Sequence, residues 1–76
     1  MNLHSAFYKF VPVDNTAECA AALREHAYAL SGSIIVANEG VNGTVAGTSD
    51  EVAAFEGAVR TDARFADMAF KHSTWV

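Results

Sequence analysis

One stretch decides how this chain folds: Ala37-Asn38-Glu39-Gly40-Val41-Asn42-Gly43-Thr44-Val45-Ala46-Gly47. It follows the apolar run Ile34-Ile35-Val36, which is typical of a strand. The Asn42-Gly43 pair between apolar runs is a strong short-range signal for a β-hairpin, because both residues tolerate a positive φ angle. Residues 38–40 precede that pair. We therefore expect a turn that is longer and more polar than chain reversal requires.

The chain before this stretch predicts a strand and a helix. Residues 5–11 alternate so that Tyr8 and Phe10 lie on one side of a strand, and apolar groups also lie on the other side. A helix is expected from residues 14–16 onward, with Asn15 and Glu18 spaced as a capping box. Its apolar positions recur up to Leu30, and Gly32 stands where a left-handed C-terminal cap is expected.

The chain after this stretch predicts a second helix and a final strand. Thr48 and Glu51 are spaced as a capping box, and the helical spacing of Val52, Phe55 and Val59 indicates a buried stripe. Phe65 is expected to anchor the next loop to the core. The alternation that begins at Met68 predicts a last strand running to the end of the chain.

With strands at 34–37 and 44–46, the predicted order is β-α-β-β-α-β. Two right-handed β-α-β crossings around a central hairpin give an α+β, ferredoxin-like sandwich. Its four-stranded antiparallel sheet carries two helices on one face and leaves the other face bare. We interpret residues 1–76 as one domain, since a chain this short supports only one core.

Composition excludes several classes of protein. A hydrophobic fraction of 51% favours a folded domain, and the single cysteine, Cys19, permits no internal disulfide. Nothing resembles an export signal or a membrane span, so a cytoplasmic location is expected. The formal net charge is −4, which differs from the strongly basic balance of a stand-alone nucleic-acid binder.

The stretch from Glu39 to Gly47 resembles the signature of the rhodanese-related tRNA uridine hydroxylase family. The segments 7–11 and 62–71 resemble the first strand of that family and the segment before its last strand. The resemblance implies an acylphosphatase-like N-terminal domain. It also implies an oxidoreductase parent that hydroxylates the tRNA wobble uridine with oxygen and a cysteine of a downstream rhodanese domain.

The pattern is still strand-like at Thr74-Trp75-Val76, which indicates an N-terminal fragment. The partners implied by the resemblance are therefore the rhodanese domain in the same chain and, further, tRNA. Two other function classes stay open: a stand-alone protein- or RNA-binding module without an enzymatic parent, and a small acyl-phosphate hydrolase.

No residue of the chain is assigned a catalytic role. His4, His26 and His72 are scattered without metal-ligand spacing, and no serine has a His–Asp partner in the pattern. We expect no metal and no cofactor. The phosphate-binding loop of acylphosphatases carries a glycine and an arginine, whereas the corresponding residues 11–16 have neither. The hydrolase is therefore disfavoured.

Five residues are candidates for contact with the downstream domain or RNA: Tyr8, Lys9, Asn38, Glu39 and Asn42. Turn geometry alone could explain the two asparagines. Glu39 could hold the loop or, if buried, act as a general acid or base. The aromatic side of the first strand could stack RNA bases or pack on the neighbouring domain, and the negative net charge favours the domain. Gly40 and Gly43 are expected to be required by the shape of the loop.

Overall fold

The computed structural model describes residues 2–75 and has the element order β-α-β-β-α-β, as the sequence predicts. The elements are β1 (Asn2–Phe10), α1 (Thr16–His26), β2 (Ser31–Ala37), β3 (Gly40–Thr48), α2 (Ser49–Val59) and β4 (Phe70–Trp75), with a short 3₁₀ helix at Ala63–Phe65. The strand order is β2-β3-β1-β4, and every neighbouring pair is antiparallel. The ferredoxin-like α+β prediction is confirmed.

The two faces of the sheet differ in what covers them. The core face carries odd-numbered residues of β1 and β3 and even-numbered residues of β2 and β4. Phe7, Val41 and Val45 on this face pack with helix residues such as Leu23 and Phe55 in one core. The opposite face, called the open face below, carries residues 4–10 and 40–46 (even numbers), 31–37 and 71–73 (odd numbers).

The hairpin turn lies within the predicted residues 38–43 but is shorter than predicted. Ala37 and Gly40 are direct partners, so Asn38 and Glu39 alone form the turn, and Asn42-Gly43 lies inside β3. Crowding explains the glycine within the strand. A Cβ at Gly43 would lie 2.8 Å from the Phe7 ring and 2.8 Å from the Ser33 carbonyl oxygen. Gly43 therefore accommodates a close approach inside the sheet.

The first helix begins where predicted, directly after Asn15, but its predicted capping box and its predicted end are wrong. Asn15 makes no side-chain cap bond, because its Oδ1 accepts a hydrogen bond from Arg64 Nη1 at 3.1 Å instead. The helix ends at His26, and Gly32 lies within β2 with φ +129°. A Cβ there would lie 2.0 Å from the Thr44 carbonyl oxygen, so the strand pair itself requires this glycine.

The second helix matches its prediction closely. Thr48 Oγ1 accepts from the Glu51 amide at 3.2 Å, and Glu51 Oε1 accepts from the Thr48 amide at 2.9 Å, which completes the capping box. The stripe at residues 52, 55 and 59 is buried. Phe65 is buried and anchors the loop after α2, as expected. Neither helix has the length or apolar character to cross a membrane.

The first and last strands have different bounds from those predicted. β1 begins at Asn2 and ends at Phe10, and β4 begins at Phe70, because the Met68 amide bonds to the Phe65 carbonyl at 3.0 Å and extends the preceding turn. Asn2 pairs with Trp75 in the antiparallel ladder between β1 and β4. The last predicted strand residue, Val76, lies outside the described residues.

Candidate functional site

The open face presents large side chains to solvent. Tyr8 is 70% exposed, Phe10 is 81% exposed and Ile35 is 62% exposed. The rings of Tyr8 and Phe10 meet edge to face, with centroids 5.9 Å apart. Residues two apart on one strand share a face, which is why the sequence could predict that these two aromatics lie together. Such an exposed cluster on a small domain is typical of an interaction site.

Two of the sequence candidates meet on this face. Tyr8 and Asn42 are direct partners across β1 and β3, and Asn42 is in turn the partner of Ile35 on β2. Directly opposed residues have Cβ atoms about 5 Å apart, so their side chains can act on one ligand. A groove beside Tyr8 is lined by Ala6, Asn42 and Lys71.

Lys9 is separated from this cluster. It lies on the opposite face of β1, and its Nζ forms an ion pair with Asp67 Oδ1. The hydrogen bond and positive charge from Lys9 lower the pKa of the Asp67 carboxyl below its ordinary value. The lysine therefore joins β1 to the connection before β4 and does not stand beside the Tyr8 ring.

Asn38 and Glu39 hold the turn against the connection between β1 and α1. The Val11 amide donates to the Glu39 carbonyl at 3.0 Å, and the Val13 amide donates to the Asn38 carbonyl at 2.9 Å. Asn38 Nδ2 also donates to the Val13 carbonyl at 3.1 Å. Two backbone amides of the loop that would bind phosphate in an acylphosphatase are thus already bonded within the protein. This arrangement argues against the hydrolase alternative.

Gly40 and Gly43 meet different constraints. Gly40 has φ +152°, and a Cβ there would lie 2.1 Å from the Lys9 carbonyl oxygen, so both its conformation and its close contact with β1 favour glycine. Gly43 does not have a positive φ. It is constrained instead by the Phe7 ring, which leaves no room for a Cβ.

Sequence reasoning missed a polar cluster under the sheet. Ser5 Oγ donates to Glu56 Oε2 at 2.6 Å, and His72 Nε2 contacts the same carboxylate oxygen. Ser5 and Glu56 are buried, whereas His72 is partly exposed. Ser5 is fully buried, so its hydroxyl, although hydrogen-bonded to a carboxylate, is closed to a substrate in this structure. The signal in the sequence was the acid inside the apolar stripe of α2.

A second polar group holds the 3₁₀ helix. Arg64 donates from Nε and Nη2 to the two carboxylate oxygens of Asp62, at 3.1 and 2.7 Å. These bonds hold the pKa of the Asp62 carboxyl below its ordinary value. Cys19 is buried in the nearby core, and burial raises the pKa of its thiol. Among residues 2–75, His, Cys, Asp and Glu side chains form no group of three that could hold a metal ion.

Comparison with known proteins places this chain in a family. The family model described as the UPF0176 acylphosphatase like domain matches residues 3–75. A tRNA uridine(34) hydroxylase of Bordetella avium is 45% identical over 71 residues, which are 91% of this chain and 29% of the relative. Proteins of the same name from Variovorax paradoxus and Xanthomonas euvesicatoria are 44% and 39% identical, over 93% and 96% of this chain and 28% and 30% of their own lengths.

The chain therefore spans less than a third of these relatives, which carry further domains beyond the matched region. The resemblance seen in the hairpin stretch is confirmed over nearly the whole chain, and the fold agrees with it. This chain belongs to the UPF0176 acylphosphatase-like domain family, and it is homologous to the N-terminal part of tRNA uridine(34) hydroxylases.

Proposed function

We propose that this chain is the accessory N-terminal domain of a tRNA-modifying enzyme that hydroxylates uridine 34. Its contribution is contact: it positions the tRNA or organises the domains that carry the chemistry. The observation that carries this proposal is the match of 91% of the chain to the N-terminal part of a protein named for that activity. The exposed aromatic surface supports a role in binding.

The contact surface has two parts in this proposal. Tyr8 and Asn42 form the part on the open face, where their side chains are exposed. Asn38 and Glu39 form the part at the hairpin turn, where their carbonyls already hold the β1–α1 connection and their side chains are exposed. Lys9 supports the second part through its ion pair with Asp67, which fixes the end of β1.

The role can be tested with the complete gene in a bacterium that lacks its own tRNA uridine(34) hydroxylase. Hydroxylation of uridine 34 is read by mass spectrometry of tRNA digests. We expect the complete gene to restore the modification, and a version without residues 2–75 to lose most of it. The 76-residue chain alone should restore none, since the side chains of its two polar clusters bond to one another within the fold, Ser5 to Glu56 and Arg64 to Asp62.

Three results would contradict the proposal. The complete gene could fail to hydroxylate uridine 34. The version without residues 2–75 could work as well as the complete one. The 76-residue chain could restore modification by itself, which would make the domain catalytic. A gene that encodes no further domain would favour the alternative, a stand-alone binding module.

A further inference from the structure

We propose that the open face binds single-stranded RNA, with Tyr8 and Phe10 stacking on bases and Lys71 contacting phosphate. This inference deepens the proposed function and rests on it in naming RNA among polyanions. The surface itself is argued from charge and geometry.

The charges of the domain are divided between its two layers. All nine Asp and Glu residues lie in the helices, turns and connections, and none lies in β1–β4. The open face therefore presents no carboxylate from any strand, whereas it presents the exposed Lys71. The strands carry Lys9 and Lys71, whereas the nine acids and three arginines outside them give a formal charge of −6, so the net charge of −4 does not describe this surface. A polyanion that approaches the sheet meets a neutral to positive face.

The aromatic pair has the exposure that base stacking needs. Tyr8 and Phe10 are among the most exposed large side chains of the domain. Both stand on the part of β1 that pairs with β3, where their partners are Asn42 and Gly40, and beyond the pairing with β4, which ends at Phe7. Aromatic side chains on a sheet bind single-stranded RNA because every base offers a π-face. The pairing with β3 orders the backbone beneath both rings before a ligand binds, which lowers the cost in conformational entropy of stacking.

Polar groups beside the aromatics fit the other parts of a nucleotide. Asn42 is the direct partner of Tyr8, so its amide can donate to and accept from a base edge. Lys71 on β4 is the direct partner of Ala6 on β1. It lines the groove beside Tyr8, within reach of the phosphate of a stacked nucleotide. Glu39 borders the face at the hairpin end, so the RNA backbone is expected to run along the β4 side.

Binding can be measured by fluorescence anisotropy with a labelled oligouridine and the 76-residue chain at low salt. Tyr8→Ala and Phe10→Ala should each weaken binding roughly five-fold to a hundred-fold, the range typical of a lost base–aromatic stack. Lys71→Gln should reduce the slope of log affinity against log salt by about 0.7, the value for one phosphate contact to a single strand.

Tyr28→Ala is the matched control, because Tyr28 is 92% exposed and follows α1 outside the sheet. It should leave the affinity unchanged. The proposal fails if the chain binds no oligouridine, if Tyr28→Ala weakens binding as much as Tyr8→Ala, or if the two strand variants bind like the wild type. Circular dichroism of each variant checks that the fold is kept.

A second experiment tests whether another part of the complete protein covers the open face. In a Phe10→Cys variant of the complete protein, alkylation of residue 10 reports its exposure, read by peptide mass spectrometry without RNA present. We expect alkylation as fast as in the 76-residue chain, and slower alkylation when oligouridine is added. Protection without RNA would show that the further domains cover the face and would overturn the inference. The uridine hydroxylation assay is independent of this result, so failure of the proposed function stays distinguishable.

Discussion

At the scale of single residues, glycines decide how closely the strands approach. Gly40 accepts φ +152° and lies where a Cβ would be 2.1 Å from a backbone oxygen of β1. Gly57, in the middle of α2, has no atom within 4 Å of such a Cβ apart from its chain neighbours and the backbone of its own helix. Replacing glycine by alanine should therefore have opposite effects on stability at these two positions.

We expect Gly40→Ala to lower the free energy of unfolding by about 1–3 kcal/mol, since alanine at this φ is strained and its methyl group meets the Lys9 carbonyl. Gly57→Ala should raise it by about 0.5–1 kcal/mol, because alanine favours the helix interior. Urea denaturation of the chain measures both. Equal midpoints for Gly40→Ala and wild type would show that the turn does not depend on glycine.

The glycines also show what residue patterns can predict. The sequence correctly indicated a hairpin in the stretch 37–47, but it extended the turn from residue 38 through Asn42-Gly43, which lie inside β3. Asn-Gly commonly marks a turn. Here, however, a glycine is needed at position 43 because the ring of Phe7, which is distant in the chain, leaves no room for a Cβ. Local statistics report the preferred conformation of a residue, and they carry no information about which ring will lie against it.

At the scale of elements, the two helices show why one predicted capping box forms and the other does not. The capping box of α2 uses Thr48 and Glu51, three residues apart, so the sequence contains the whole interaction. The side chain of Asn15 instead bonds to Arg64, 49 residues away. The partner of the Asn15 side chain is therefore brought to the start of α1 only by packing in the complete fold.

The Asp62–Arg64 pair gives this packing a dependence on pH. The folded-state pKa of Asp62 is lowered, so its stabilising contribution is present above the unfolded pKa, about 3.8, and is lost as the pH falls through the folded value. At neutral pH, Asp62→Asn should lower the free energy of unfolding by up to about 1 kcal/mol, a small value because the pair is partly exposed to solvent.

The difference between wild type and Asp62→Asn should shrink as the pH falls from neutral through the folded-state pKa of Asp62, because the wild-type carboxyl then becomes protonated. Thermal unfolding of both proteins across this range tests the expectation. In the Arg64→Gln background, Asp62→Asn should have a smaller effect at neutral pH. A difference that is constant from neutral to acid pH would show that the charge of Asp62 does not act through Arg64.

At the scale of the whole molecule, a group of polar side chains, called the buried polar tie below, joins helix α2 to the sheet. Glu56 on α2 accepts from Ser5 on β1 and contacts His72 on β4, so three elements meet at one carboxylate. The sequence predicted the fold, the apolar core and the open aromatic face, because each follows from periodicity. It missed this tie, because only the register of β1 against β4 places Ser5 opposite His72.

We expect Ser5→Ala to lower the free energy of unfolding by about 1–3 kcal/mol, since a buried carboxylate loses a donor. That is a large share of the total stability of a domain of this size, roughly 4–11 kcal/mol. The urea midpoint should fall while the slope of the transition stays unchanged. Ser33→Ala, on the exposed strand β2, is the control and should have little effect. Equal midpoints for both variants would contradict a stabilising tie.

The pairing of Asn2 with Trp75 has a consequence for the use of this fold as a module. The chain enters and leaves the domain on adjacent strands at one end of the sheet, with the Asn38–Glu39 turn at the other end. Domains with neighbouring ends tolerate circular permutation and insertion into a host loop. A permutant that links the two ends and opens at this turn would keep every strand pair, and with them the register of the open face.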